Sequence, residues 1–183
     1  GNLDPQHVPF LHRVFTLNDG SRSFYYSSGT FPSQELEETE FGFRLCRTRP
    51  LDDETDFVAL TYFVFPNFGT FSGSPNGYGV NWHVPIDDYS HWKFHVTFDR
   101  VDPIDHAALL RASFDSAAPY APRRSQANRY LQDREEMKTR TFAGIGRSFQ
   151  DHDMMATESE GPILDRTQEH LGNTDKAIIL ARR

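Results

Sequence analysis

Gly79-Val80-Asn81-Trp82-His83-Val84-Pro85 and Ser90-His91-Trp92-Lys93-Phe94-His95-Val96-Thr97-Phe98-Asp99 stand on either side of Pro85-Ile86-Asp87-Asp88. In the second limb Trp92, Phe94, Val96 and Phe98 alternate with His91, Lys93, His95 and Thr97, the period-two pattern of a half-buried strand. Pro and paired Asp between two such limbs are turn-formers, so the stretch predicts a hairpin in an antiparallel sheet. Residues 40–47 alternate in the same way, and Asp56–Phe65 reads as a second, more apolar strand. Residues 66–79, rich in Gly, Ser, Pro and Asn, read as a loop.

Helical signals flank this β region. Residues 5–16 predict a short helix, with Asp4 before Pro5 as its start and Pro9 interrupting its ladder. Residues 103–112 predict another, beginning at Asp102-Pro103, and 116–125 are irregular. From residue 126 the pattern is helical and polar, broken at Phe142–Gly146. A helix is expected from around Asp151 toward Ser159, another over Ile163–Leu171 ending at Gly172, and a last one over Thr174–Arg183. The expectation is a single α+β domain over residues 1–183, a curved antiparallel sheet with helices packed on one face.

Composition narrows the function classes. A chain of 183 residues can bury a sizeable core. Its net charge of -7 opposes a nucleic-acid or anionic-membrane partner, either of which selects a basic face. No apolar run approaches the roughly 20 residues of a membrane span, and no signal-peptide pattern is present. The single cysteine, Cys46, leaves no internal disulfide or cysteine-built cluster and fits the cytoplasm. Sixteen phenylalanines serve equally as core filler or as the lining of a pocket for an apolar or aromatic ligand. Phosphate loops, nucleophile elbows and Cys–His pairs are missing, which disfavours hydrolases and nucleotide binders.

The chemistry-bearing pattern is Asp4-x2-His7-x4-His12, with Val8, Phe10 and Leu11 between the imidazoles. Two imidazoles plus one distant carboxylate make the facial ligand set of an oxygen-activating non-haem iron(II) site, and a carboxylate three residues before the first ring could orient it. On an ideal helix, residues five apart diverge by about 140°, so ligation by both needs a broken turn. The third ligand is sought in Ser148-Phe149-Gln150-Asp151-His152-Asp153, where Asp151 leads and Asp153 competes closely. On spacing alone an ordinary N-cap carboxylate is the better account of Asp151, and two surface or core histidines account for His7 and His12 as well as ligation does. A rival group, His83, His91 and His95, shares its strand face with Lys93 and lacks an interleaved carboxylate, so it reads as a solvated face.

Asn2-Leu3-Asp4-Pro5-Gln6-His7-Val8-Pro9-Phe10-Leu11-His12-Arg13 resembles the ligand segment of Rieske-type aromatic-ring-hydroxylating oxygenases, in the phthalate 4,5-dioxygenase-like branch. Asn81–Asp88 resembles that branch's hairpin signature. Gln150-Asp151, Glu158–Ile163 and Asp165–Gly172 resemble its C-terminal signature. Three motifs in the right order span essentially the whole chain. The resemblance implies a helix-grip sheet, His7, His12 and Asp151 as ligands of a mononuclear Fe(II), and Asp4 as an electron relay toward His7. It also implies an aromatic substrate, carboxylated by expectation, with dioxygen as co-substrate. A carboxylated substrate would want a cation in the pocket, for which Arg13, Arg44 and Arg147 are candidates.

The same resemblance implies a homotrimer and electrons from an NAD(P)H-dependent reductase, with or without a ferredoxin. The family's 2Fe–2S Rieske cluster needs two cysteines, so it lies outside this chain. The chain is therefore expected to be a fragment of a longer oxygenase subunit or one part of a split enzyme. Alone, it is expected to bind iron weakly and turn over little substrate. The competing expectation is a non-catalytic helix-grip module that binds an apolar ligand.

Overall fold

The computed structural model describes residues 3–15, 31–74, 77–112, 116–117 and 121–183. In chain order its elements are α1 (Val8–Leu11), β1 (Ser33–Thr39), β2 (Gly42–Pro50), β3 (Asp56–Val64), β4 (Phe68–Ser74), β5 (Gly77–Pro85) and β6 (His91–Asp99). There follow α2 (His106–Ala112), the two-residue strands β7 (Ser116–Ala117) and β8 (Ala121–Pro122), α3 (Glu136–Thr139), α4 (Phe149–Glu158) and α5 (Lys176–Ala181). Short 3₁₀ segments occupy Gln126–Leu131, Arg166–Gln168 and Asn173–Asp175. Among the described residues no helix is long and apolar enough to cross a membrane.

The chain divides into two compact units. The first takes in the stretch ending at Gln6, the sheet as far as Ile104, and Arg166–Arg183. Its β1–β6 form an open, curled antiparallel sheet in sequential order, the α+β class expected from the alternating runs. Leu36 of β1, Leu45 of β2 and Thr61 of β3 are register partners across three strands, so their side chains share one face. Phe43 and Leu45 are buried on that face and pack with Ala177 of α5, joined by Leu3, Phe63, Leu180 and Ala181. Burial of each large apolar side chain stabilises by about 1.5–3 kcal/mol. Farther along β2 the same face turns polar: Arg47 and Arg49 are buried, and Arg47 donates to Thr61 Oγ1.

The hairpin at 77–99 forms as its alternation predicts, with Trp82 opposite Phe94 and Val84 opposite Trp92. Its turn is held by Asp87, whose Oδ1 accepts the backbone N–H groups of Tyr89 and Ser90. Two expectations need correction. Part of the 66–79 loop is strand β4, paired with β5 from Phe68–Trp82 onward. Glycine and serine in this strand hid it: Phe71 lies opposite Gly79, whose missing Cβ leaves room for the Phe71 ring. The helix expected at 163–171 shrinks to one 3₁₀ turn, and Glu169 instead pairs with Arg182 beyond α5, its Oε1 accepting from Nη2 at 2.6 Å.

The second unit takes in the stretch opening at His7 and Asp105–Asp165. Its core is Tyr130, Ala143 and Ile145, covered by Leu11, Met154 and Met155. The predicted break at 142–146 is a loop held by Glu136, whose Oε1 accepts from Thr141 Oγ1 at 2.7 Å and from Gly146 N at 2.9 Å. Gly144 has φ +66, and a Cβ there would run into the Asp133 carbonyl. An antiparallel bridge, Val14 to Thr141, fastens the segment after His12 to this loop.

Candidate metal centre

His7 and His12 are brought together by the two ends of a single helical turn. α1 has four residues, with His7 at its N-cap and His12 at its C-cap. Pro9 lies inside the first turn, where its missing N–H costs nothing, so it starts the helix and does not interrupt its ladder as expected. The chain leaves helical geometry at His12 (φ -95, ψ 12), and this exit brings the rings to a centroid separation of 5.2 Å. His12 is 2% exposed and stacks on Phe149, the first residue of α4, at 4.2 Å.

Helix α4 delivers the polar partners. Ser148 is its N-cap, its side chain accepting from Asp151 N at 3.2 Å, so Asp151 is not the cap that was one reading of it. Neighbouring helix residues are turned by about 100° and residues two apart by about 200°. His152 and Asp153 both meet His12, while Asp151 is buried with its Oδ2 3.9 Å from Arg124 Nε. The carboxylate that converges on the two rings is Asp153. Its Oδ1 lies 3.4 Å from His7 Nε2 and 3.1 Å from His12 Nε2. Among the described residues, His7, His12 and Asp153 form the group of three whose ligand atoms lie within 4.8 Å of one another.

Their protonation states suit a cation. Burial pushes His12 down to about 4, against the pull of Asp153, so its imidazole is neutral at physiological pH. Burial also lowers His152, against the opposing hydrogen bond to Gly146. For Asp153 burial acts upward, but the hydrogen bonds from His12 and His7 outweigh it and hold the carboxyl well below its usual range.

Hydrogen-bond counting tests whether an ion fits. His152 Nε2 faces the Gly146 carbonyl at 3.0 Å, His152 Nδ1 faces His12 Nδ1 at 3.1 Å, and His12 Nε2 faces Asp153 Oδ1 at 3.1 Å. Each of these gaps needs a positive hydrogen or ion, and two neutral imidazoles carry one N–H each. If His152 donates to Gly146, His12 can either donate to Asp153, as in the metal-free site with its lowered carboxyl, and leave two lone pairs facing at Nδ1, or donate to His152 and leave its Nε2 lone pair facing a carboxylate oxygen. A cation there removes the repulsion. Metal–ligand bonds of about 2.1 Å at right angles put neighbouring donors about 3 Å apart, close to the spacing of both histidines from Asp153. Two imidazoles and a carboxylate are a donor set for iron(II) or zinc.

The other candidates are placed elsewhere. Asp4 Oδ1 accepts the N–H of Gln6 at 2.7 Å. His83 Nδ1 and His91 Nε2 are 2.9 Å apart, but His95 is engaged at one nitrogen by Asn81 and at the other by Thr97. Arg44 pairs with Glu37, Arg13 lies over the Phe15 ring at 5.4 Å, and Arg147 is exposed. His152 and Gly146 had no role in the sequence reading. The signals were present: a His between two aspartates, and a Gly-Ile-Gly break just upstream of the helix.

Comparison with known proteins adds independent information. Residues 21–183 match the family model described as LigXa C-terminal domain like. The oxygenase subunit of phthalate 4,5-dioxygenase from Pseudomonas putida is 33% identical over 202 residues, covering 100% of this chain and 45% of the relative. The oxygenase subunit of 3-chlorobenzoate-3,4-dioxygenase from Comamonas testosteroni is 26% identical, covering 100% of this chain and 48% of that protein. The alpha subunit of phenoxybenzoate dioxygenase from Ectopseudomonas oleovorans is 24% identical, covering 99% of this chain and 39% of its own length. The chain thus spans less than half the length of these relatives.

Proposed function

We propose, on the premise that this chain belongs to the LigXa C-terminal domain-like family and resembles aromatic-ring-hydroxylating dioxygenase oxygenase subunits, that it is the iron-binding catalytic domain of such a subunit. The observation that carries the proposal is the convergence of His7, His12 and Asp153. These residues would hold ferrous iron on one face. When bound, the ion supplies open positions for reducing dioxygen beside an aromatic substrate.

The chain's own residues hold and shield that ion. His12 is locked between Phe149 and His152, so its Nε2 keeps one direction. The buried carboxylate of Asp153 offsets part of the ion's charge. Leu11, Met154 and Met155 pack on Tyr130, Ala143 and Ile145 and so tie α1 and α4, which carry the group, to one core. Asp4 is assigned the electron relay toward His7. With Cys46 as the chain's single cysteine, a Rieske cluster must come from sequence outside it, and the electrons ultimately from an NAD(P)H-dependent reductase, directly or through a ferredoxin. The names of the relatives, which concern phthalate, 3-chlorobenzoate and phenoxybenzoate, support a carboxylated aromatic substrate. The trimer that the family resemblance implies would need an apolar surface, and Trp92, Phe94, Val96 and Phe98, each about half exposed along one side of β6, offer one.

Anaerobic loading with Fe(II) followed by metal analysis tests the proposal. One iron per chain, lost in His7→Ala, is the expected result. Tight binding of aromatic ligands without iron, indifferent to His7→Ala, would make the chain a binding module.

A further inference from the structure

Beside the same site stands His152, which is not one of its three proposed ligands. His152 contacts His12 from the side opposite Asp153, with parallel rings at a centroid distance of 5.3 Å and an interplanar angle of 15°. It is 1% exposed. We propose that His152 is a positioning residue: anchored by its Nε2–H to the Gly146 carbonyl, it accepts the Nδ1–H of His12 and so fixes His12 in the tautomer whose Nε2 lone pair is directed at the metal. This inference rests on the iron-site assignment above.

Three features carry it. The anchor is one-sided, because a backbone carbonyl only accepts; at 3.0 Å it requires the proton on His152 Nε2. A neutral His152 then has only a lone pair at Nδ1, and with Nε2 of His12 taken by the metal the one His12 hydrogen is on Nδ1, 3.1 Å from that lone pair. The anchor lies in a held loop, since Gly146 (φ +81) donates its N–H to Glu136 Oε1 at 2.9 Å. Outer partners that orient a ligating imidazole are commonly a carboxylate or a backbone carbonyl. Here a second imidazole passes the carbonyl's orientation on to the first.

The test compares the wild-type chain with His152→Phe, which preserves the ring and removes both nitrogens, and His152→Asn, whose side-chain oxygen can replace Nδ1 as acceptor. Anaerobic Fe(II) titration followed by the ferrous–nitrosyl EPR signal should show His152→Phe weakened about 10- to 100-fold and His152→Asn restoring most of the loss. Equal affinity in all three chains would overturn the inference while leaving the iron site intact. No uptake by the wild type would overturn the iron site, and the inference with it. Nitrogen-15 spectra of the wild-type chain loaded with diamagnetic Zn(II) give a readout that needs no variant to fold. Protonated Nδ1 on His12 together with protonated Nε2 on His152 is expected, and any other pattern refutes the relay.

Discussion

His12 Nε2 stands 3.1 Å from Asp153 Oδ1, and the same oxygen lies 3.4 Å from His7 Nε2. One carboxylate oxygen thus serves as the meeting point of two rings, on a helix whose neighbouring acid, Asp151, is directed elsewhere. Asp153→Asn is expected to abolish stoichiometric iron uptake, a larger loss than the roughly 100-fold that an outer partner costs. Asp151→Asn should keep it. Metal analysis of both variants after anaerobic loading decides the point. The reverse pattern would make Asp151 the ligand, as the family resemblance implies.

Acid should destabilise the metal-free chain through His12. Its pKa is lowered from 6.5 to about 4 in the folded protein, so between those values the unfolded chain binds the proton and the folded chain does not. Stability is therefore full above about pH 6.5 and falls as pH drops toward 4. At roughly 1.4 kcal/mol per tenfold change in proton activity, the loss is bounded at about 3.5 kcal/mol. Asp153, also lowered, continues the loss below its ordinary carboxylate range. Urea midpoints measured between pH 7 and pH 4 check the sign; a midpoint rising toward pH 4 would contradict it.

Gly144→Ala should damage the loop that presents the Gly146 carbonyl. The residue has φ +66 and no room for a Cβ beside Met137 and Asp133. The backbone strain is expected to cost about 1–3 kcal/mol, visible in chemical denaturation. Iron affinity should fall along with it. Unchanged stability would mean the loop relaxes without strain.

Phe43→Ala tests the sheet unit separately. Phe43 is 1% exposed and packs with Leu45 and Ala177. Removing its ring should cost about 3–5 kcal/mol. A urea midpoint shifted by less than a fifth of the wild-type value would place the real core elsewhere.

The sequence made much of this architecture legible, for physical reasons that differ by element. β2 alternates because one side of it is more buried than the other, and β3 stands out as an apolar run. The 77–99 hairpin is marked by its alternation and turn residues, although the apolar side of β6 is the more exposed one; the α+β class followed. β1 carries Gln34, Glu35, Glu37 and Glu38, too polar to register as a strand, yet seven register partners on β2 hold it. β4 was hidden by the glycines that make room for Phe71. At the site, the D-x2-H-x4-H spacing drew attention to both histidines, and the structure brings their rings together at the two ends of one helical turn. Choosing between Asp151 and Asp153 depends on where α4 begins, and a shift of two residues rotates the carboxylate by about 200°. His152 is marked in the sequence only as a His between two aspartates, because its proposed role depends on a backbone carbonyl, which a sequence does not display.

X-ray absorption at the iron edge of the anaerobically loaded chain counts the ligands directly. The proposal predicts one ferrous ion with two imidazole scatterers in a nitrogen and oxygen shell, and no bound iron in His7→Ala. An iron surrounded by oxygen alone, or a chain that takes up no iron, would contradict it.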